Sequence, residues 1–224
     1  MLAKDEMARF IDHTLLKPAA TREDIKHLCQ EALDFNFYSV CVNPVYVSFA
    51  SKILEGSDVK VCCVVGFPFG ANVSEVKAFE AEKAILDGAD EIDMVINLGA
   101  LKSGDLKEVR KDIKGVVRKA KLAHKEVKVK VIIETGLLSD EEKVIASKLV
   151  KDSGADFVKT STGINSTGAT IQDIILLRNS VGLEFGVKAS GGIRSYEAAI
   201  NLIDAGASRL GTSSGIKIIN DIKE

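Results

Sequence analysis

The chain has no tryptophan, and only 3 histidines, 3 prolines and 4 cysteines among 224 residues. Each scarcity excludes something. A metal-dependent enzyme needs several histidine or carboxylate ligands around one ion. Here two of the three histidines, His27 and His124, fall on predicted helices. The cysteines (Cys29, Cys41, Cys62, Cys63) form no CxxC, and adjacent Cys62 and Cys63 are too close for ordinary disulfide geometry. The start, "MLAKDEMARF", has no apolar leader segment, so reduced thiols in a cytoplasmic protein are expected. No run approaches the roughly 18 apolar residues that span a bilayer. Neither charge sign is in excess, with Lys+Arg 30 against Asp+Glu 32, which argues against a general nucleic-acid surface. No Pro/Ser-rich linker interrupts the chain, so residues 1–224 read as one domain.

What is present is alternation. Short β-branched runs are followed by longer amphipathic stretches. After a leading helix (Lys4 to Phe10), the predicted strands are "IDHTLL", "FYSVCVN", "VKVCCVVGF", "DEIDMVIN", "VKVKVIIET", "DFVKTS", "FGVKAS" and "SRLGTS". Capping patterns at Thr21–Asp24 and Ser139–Glu142 start two of the intervening helices, and Pro44 opens another. A long helix is predicted from Asp105 to His124. Eight β-then-α units in series predict a parallel sheet, and eight is the number that closes a (β/α)8 TIM barrel.

In such a barrel the active site lies at the C-terminal ends of the strands. The polar residues predicted there are Asp12, His13 and Thr14, then Cys41 and Asn43, Asp93 and Asn97, Glu134 and Thr135, Lys159, and Lys188. Asp12 and Asn43 also suit turn capping, Cys41 suits core packing, and Glu134 suits a counter-ion to a buried lysine. Lys128 and Lys130 lie toward the start of their strand and read as structural or solvent-reaching.

The two lysines that end strands are harder to explain by packing. Lysine is almost never fully buried unless paired. If Lys159 and Lys188 face one lumen, a nearby like charge and desolvation lower a lysine pKa, which supplies the neutral amine for Schiff-base formation. Asp93 or Glu134 could then move protons. A second signal is the pair of glycine-rich loops "SGGIRS" and "GTSSG", each running into a helix. Gly191, Gly192, Ser213 and Ser214 suit phosphate binding there.

Taken together, "IDHTLLKP", "VCVNP", "VVGFPFG", "EIDMVINLGALKSGD", "KVIIETGLL", "GADFVKTSTG", "VKASGGIRS" and "RLGTSSG" closely resemble the deoxyribose-phosphate aldolase family, in order and over nearly the whole chain. The resemblance implies a class I aldolase on a (β/α)8 barrel. Its reaction interconverts 2-deoxy-D-ribose 5-phosphate with acetaldehyde and D-glyceraldehyde 3-phosphate, with no metal or organic cofactor. It implies Lys159 as the Schiff-base lysine, with Lys188 and Asp93 as the proton-handling pair. Asp12, Thr14, Cys41, Thr162, Gly163, Gly191, Gly192, Gly211, Ser213 and Ser214 become candidates for substrate and phosphate contact. The implied partner is a small phosphosugar, not nucleic acid or membrane, and the implied assembly is a homodimer or homotetramer. Three details depart from the family pattern. "INSTGATIQD" replaces a stretch where many members carry Gly-Gly, Ile164 stands where some carry lysine, and "NDIKE" stands where some have a longer tail ending in tyrosine. The alternatives are a metal-dependent aldolase, a phosphosugar isomerase working through carboxylates, and a non-catalytic phosphosugar-binding protein.

Overall fold

The computed structural model describes residues 2–222; the last two residues of "NDIKE" lie outside them. Eight parallel strands pair in chain order and close on themselves. They are β1 (Ile11–Leu15), β2 (Ser39–Val42), β3 (Lys60–Val65), β4 (Glu91–Val95), β5 (Lys128–Ile132), β6 (Phe157–Lys159), β7 (Gly186–Ser190) and β8 (Arg209–Thr212). The helices are α1 (Lys4–Ala8), α2 (Arg22–Asp34), α3 (Val47–Ile53), α4 (Ser74–Leu86), α5 (Leu98–Lys102), α6 (Leu106–Ala123), α7 (Asp140–Asp152), α8 (Ile171–Val181), α9 (Tyr196–Asp204) and α10 (Gly215–Asn220). Among the described residues no helix is long and apolar enough to cross a membrane.

Local chemistry sets the helix starts. The Thr21 hydroxyl accepts from the Asp24 amide, and Asp24 Oδ2 accepts from the Thr21 amide at 2.7 Å. Ser139 and Glu142 make the same reciprocal pair at α7. Three elements differ from the sequence reading. The leading helix ends at Ala8, not Phe10, because the chain must straighten to enter β1. Pro44 opens a 3-10 turn, Pro44–Tyr46, before α3 begins. The short α5 was not anticipated; Asn97 caps it by accepting from the Ala100 amide at 3.0 Å.

Strand side chains alternate between the two faces of the barrel wall. One set, including Val40, Val61, Ile92, Met94, Val129, Val131, Val158 and Leu210, joins the main hydrophobic core formed with the helices. The alternate set faces inward and is largely polar: Asp12, Asp93, Lys130, Lys159, Lys188 and Arg209. Register brings these into contact, pairing Asp93 with Lys130, Lys159 with Lys188, and Lys188 with Arg209 across neighbouring strands. Cys41, Cys62 and Val64 form a small separate apolar cluster on the inner side. All four cysteines are free and buried, and burial pushes the Cys29 thiol up to about 12.

Outside the barrel, the fully buried Lys77 on α4 ties several elements together. Its ammonium donates to Asp112 Oδ2 on α6 at 2.5 Å and to the Gly70 and Val95 carbonyls at 3.0 Å each. Gly66 lets the stem pass: a Cβ there would stand 2.5 Å from Lys77 Cδ, and its φ of +60° favours glycine.

Candidate active site

Strand parity and register place two ammonium groups on one carboxylate oxygen. Lys159 ends β6 and Lys188 lies opposite it on β7. Each Nζ stands 2.7 Å from Asp93 Oδ2. The other oxygen of Asp93 accepts from Lys130 Nζ at 2.8 Å and from the Cys62 thiol at 3.2 Å. Lys188 also donates to Asp12 Oδ2, while Asp12 Oδ1 takes Arg209 Nη1 at 2.8 Å. Glu91 closes the network, 2.7 Å from Lys130 and 3.3 Å from Arg209. The Arg209 guanidinium stacks on the Tyr38 ring, 3.3 Å from its centroid.

Asp12, Asp93, Lys130 and Lys188 are wholly buried, and Lys159 is 3% exposed. Burial opposes charge on Asp93, but Lys130, Lys159 and Lys188 outweigh it and hold the carboxyl well below the ordinary range. Asp12 is lowered in the same way by Lys188 and Arg209. For Lys188, burial disfavours the cation, yet Asp12 and Asp93 overcome it and raise the pKa. This corrects the expectation of a depressed value for that lysine: two carboxylates stand beside it as well as a like charge. Lys130 is likewise raised, and it reaches the centre of the lumen, not solvent. Within this network four basic side chains (Lys130, Lys159, Lys188, Arg209) meet three carboxylates (Asp12, Glu91, Asp93). Among these four basic groups only Lys159 borders the open cleft.

That cleft, about 380 Å³, opens at the C-terminal ends of the strands. Its floor is Lys159. Thr14 lies on one wall, Thr162 and Gly163 on another, Gly191 and Gly192 on a third, and Gly211, Ser213 and Ser214 complete it. Asp12, Asp93, Lys188 and Cys41 do not line it; they lie buried beneath the floor. Cys41 therefore serves the inner apolar cluster, where no substrate atom in the cleft would meet it. Gly211 also makes room for the Lys188 stem, since a Cβ there would stand 3.0 Å from Lys188 Cε.

Close backbone approach shapes the cleft walls. Gly191, at φ +85°, has no space for a Cβ, which would lie 2.8 Å from Gly168 Cα and 3.2 Å from Gly163 Cα. The Thr212 hydroxyl donates to the Ile193 carbonyl at 2.7 Å and accepts from the Ser214 amide at 2.9 Å, joining the loops after β7 and β8. Two cations that the sequence reading passed over, Lys17 and Arg194, also border the cleft. Both sit inside motifs already singled out, "IDHTLLKP" and "SGGIRS", so position within the motif was the available signal.

Other strand-end residues do different work. His13 points outward and pairs with Glu31 on α2 at 2.7 Å. Asn97 caps α5. Glu134 is not a lysine counter-ion: its carboxylate accepts from Thr162 and Ser166. A metal fits poorly here. Ligand atoms of Cys41, Cys62 and Asp93, and of Asp12, Cys62 and Glu91, cluster within 4.8 Å. The same carboxylates are already engaged by Lys130, Lys159, Lys188 and Arg209, whose positive charge would oppose a cation.

A buried lysine on a carboxylate, at the floor of a cleft over a (β/α)8 barrel, defines an enzyme centre suited to carbonyl chemistry. Comparison with known proteins narrows this. The family model described as DeoC/LacD family aldolase matches residues 7–220. The chain is 60% identical to the deoxyribose-phosphate aldolase of Clostridium kluyveri over 217 residues, 97% of this chain and 98% of that one. It is 57% identical to that of Clostridium tetani over 218 residues, covering 97% and 100%. The solved tetrameric deoxyribose phosphate aldolase from Aeropyrum pernix superposes with a TM-score of 0.90 at 38% identity, covering 97% of this chain and 91% of that one. The protein belongs to the DeoC/LacD family of aldolases.

Proposed function

We propose that the protein cleaves 2-deoxy-D-ribose 5-phosphate reversibly to D-glyceraldehyde 3-phosphate and acetaldehyde, through a Schiff base on Lys159. The observation that carries this reading is the shared Asp93 oxygen, 2.7 Å from both lysines, under a cleft that Lys159 reaches and Lys188 does not.

The chemistry follows from that placement. Lys159 gives up a proton to water in the cleft, with the Asp93 carboxylate 2.7 Å away as a fixed anchor for its nitrogen, and the neutral amine adds to C1 of the open-chain aldehyde. The carbinolamine loses its hydroxyl as water and becomes an iminium. Loss of the C3 hydroxyl proton then lets the C2–C3 bond break. Its electron pair moves into the iminium to give an enamine, and C3 leaves as the aldehyde carbon of glyceraldehyde 3-phosphate. Protonation of the enamine at C2 restores an iminium, and water releases acetaldehyde and free Lys159. Lys188, held cationic by Asp12 and Asp93, supplies and recovers protons through water while its charge stands beside Lys159.

The phosphate end fits the far side of the cleft. Backbone amides of Gly191, Gly192 and Ser213, with Lys17 and Arg194, make that rim positive. Anchoring the phosphate positions C1 over Lys159 and adds orientation energy. Thr14 and Thr162 contact the sugar, and Gly163, packed on the Gly191 loop, continues that wall toward the phosphate. A homodimer or homotetramer in the cytoplasm completes the reading, supported by the tetrameric Aeropyrum pernix relative. The test is release of acetaldehyde from deoxyribose 5-phosphate, followed by a coupled alcohol dehydrogenase. Turnover that vanishes in Lys159→Leu supports the proposal; turnover that survives that change contradicts it.

A further inference from the structure

Glu134 is fully buried and holds no cation; among the described residues its partners are all neutral donors. A buried carboxylate without a counter-charge is costly and persists where hydrogen bonds replace hydration. Its backbone is also unusual, at φ +56° and ψ +63°, a left-handed conformation that non-glycine residues seldom adopt. This geometry turns the chain from β5 so that the carboxylate points under the loop after β6.

What it grips is the cleft wall. Glu134 Oε2 accepts from the Thr162 hydroxyl at 2.6 Å, Oε1 accepts from the Ser166 hydroxyl at 2.7 Å, and both oxygens face the Thr162 amide at 3.3 Å. With its proton committed to Glu134, Thr162 Oγ1 can only accept, and it takes the amides of Ile164 at 3.1 Å and Asn165 at 3.2 Å. Asn165 then donates from Nδ2 to the Pro68 carbonyl at 2.7 Å. The segment carrying Gly163 and Ile164 is thus fixed from below, and its Gly163 Cα packs on the Gly191 loop.

We infer that Glu134 is a positioning residue for the phosphate end of the substrate, acting through Thr162 and Ser166 on the wall formed by Gly163. The inference rests on the phosphosugar reading above. Glutamate suits this place because a carboxylate only accepts. In glutamine one oxygen becomes an amide donor: toward Thr162 it meets a hydroxyl and an amide that both donate, and toward Ser166 it turns that hydroxyl away to the Thr167 carbonyl, 3.2 Å off.

The test compares kcat/KM for deoxyribose 5-phosphate with kcat/KM for unphosphorylated deoxyribose, in wild type, Glu134→Gln and Ser166→Ala. The expected result is a fall of about tenfold in the phosphorylated-to-unphosphorylated ratio for Glu134→Gln, a smaller fall for Ser166→Ala, and the loss expressed mainly in KM. Should Glu134→Gln fail to fold, the Ser166→Ala ratio decides. An unchanged ratio overturns the inference, whether both activities drop together or neither moves, because a general structural role lowers both alike. Wild-type protein that cleaves the phosphorylated sugar no better than the free sugar removes the phosphosugar reading and this inference with it.

Discussion

Lys159 and Lys188 donate to the same atom, Asp93 Oδ2, each at 2.7 Å. A single carboxylate oxygen thus joins the lysine at the cleft floor to the lysine sealed beneath it. Replacing Asp93 by asparagine leaves an oxygen that accepts but no charge to anchor the two ammonium groups. Turnover should fall by about 10²–10⁴-fold, the range for losing a group on which the acid–base steps depend. Steady-state kcat/KM measures this, and a loss under threefold would show that the anchor is dispensable.

Lys188 is held protonated, so it presents a fixed positive charge beside Lys159. Removing a cation from the side of an amine favours that amine's protonated form, so its neutral form appears at higher pH. In Lys188→Leu, activity should fall and the pH optimum should move upward. The pH profile of kcat/KM checks the sign; an unchanged or downward-shifted optimum would count against this role.

Stability should show the same charges from the other side. The folded-state pKa values of Asp12 and Asp93 are lowered, so their contribution is fully present above the ordinary aspartate range, near about 3.9, and is lost as pH falls through the folded values. The raised value of Lys188 gives a contribution fully present below about 10.4 and lost as pH rises through its folded value. Asp12→Asn breaks a buried pair with Lys188 and Arg209 and should cost about 3–5 kcal/mol at pH 7. Urea unfolding at pH 7 and at pH 3 should show that difference narrowing at the lower pH.

Ile164 is 57% exposed on the cleft rim, beside Thr162 and Gly163. Ile164→Lys adds a cation to a cleft already bordered by Lys17 and Arg194. An exposed charge contributes about 0.2–1 kcal/mol, so KM for the phosphorylated sugar should fall by roughly 1.5- to 5-fold. The gain should fade with added salt, and KM for free deoxyribose should not follow it.

Much of this was legible because strand parity and motif order both survive in sequence. The lysines in "DFVKTS" and "FGVKAS" occupy equivalent places in neighbouring strands, and register puts them together. Parity also hid information. Lys130 shares a face with Ile132 and pairs in register with Asp93, yet its place near a strand start leaves a structural and a solvent-reaching role equally open. Arg209 and Glu91 were missed for the same reason: they lie near the strand starts, and a run of residues does not reveal that the lumen there is ionic. Sequence leaves Glu134 open as a counter-ion because its left-handed backbone leaves no mark there. The departure at Ile164 was visible only against the family pattern.

Lys159 forms the covalent bond in this mechanism. Incubating the protein with deoxyribose 5-phosphate or acetaldehyde, reducing with borohydride and mapping the modified peptide by mass tests it directly. The expected result is a reduced adduct on Lys159, within "GADFVKTSTG", that is absent from Lys159→Leu. An adduct on Lys188, or none on an actively turning-over enzyme, would contradict it.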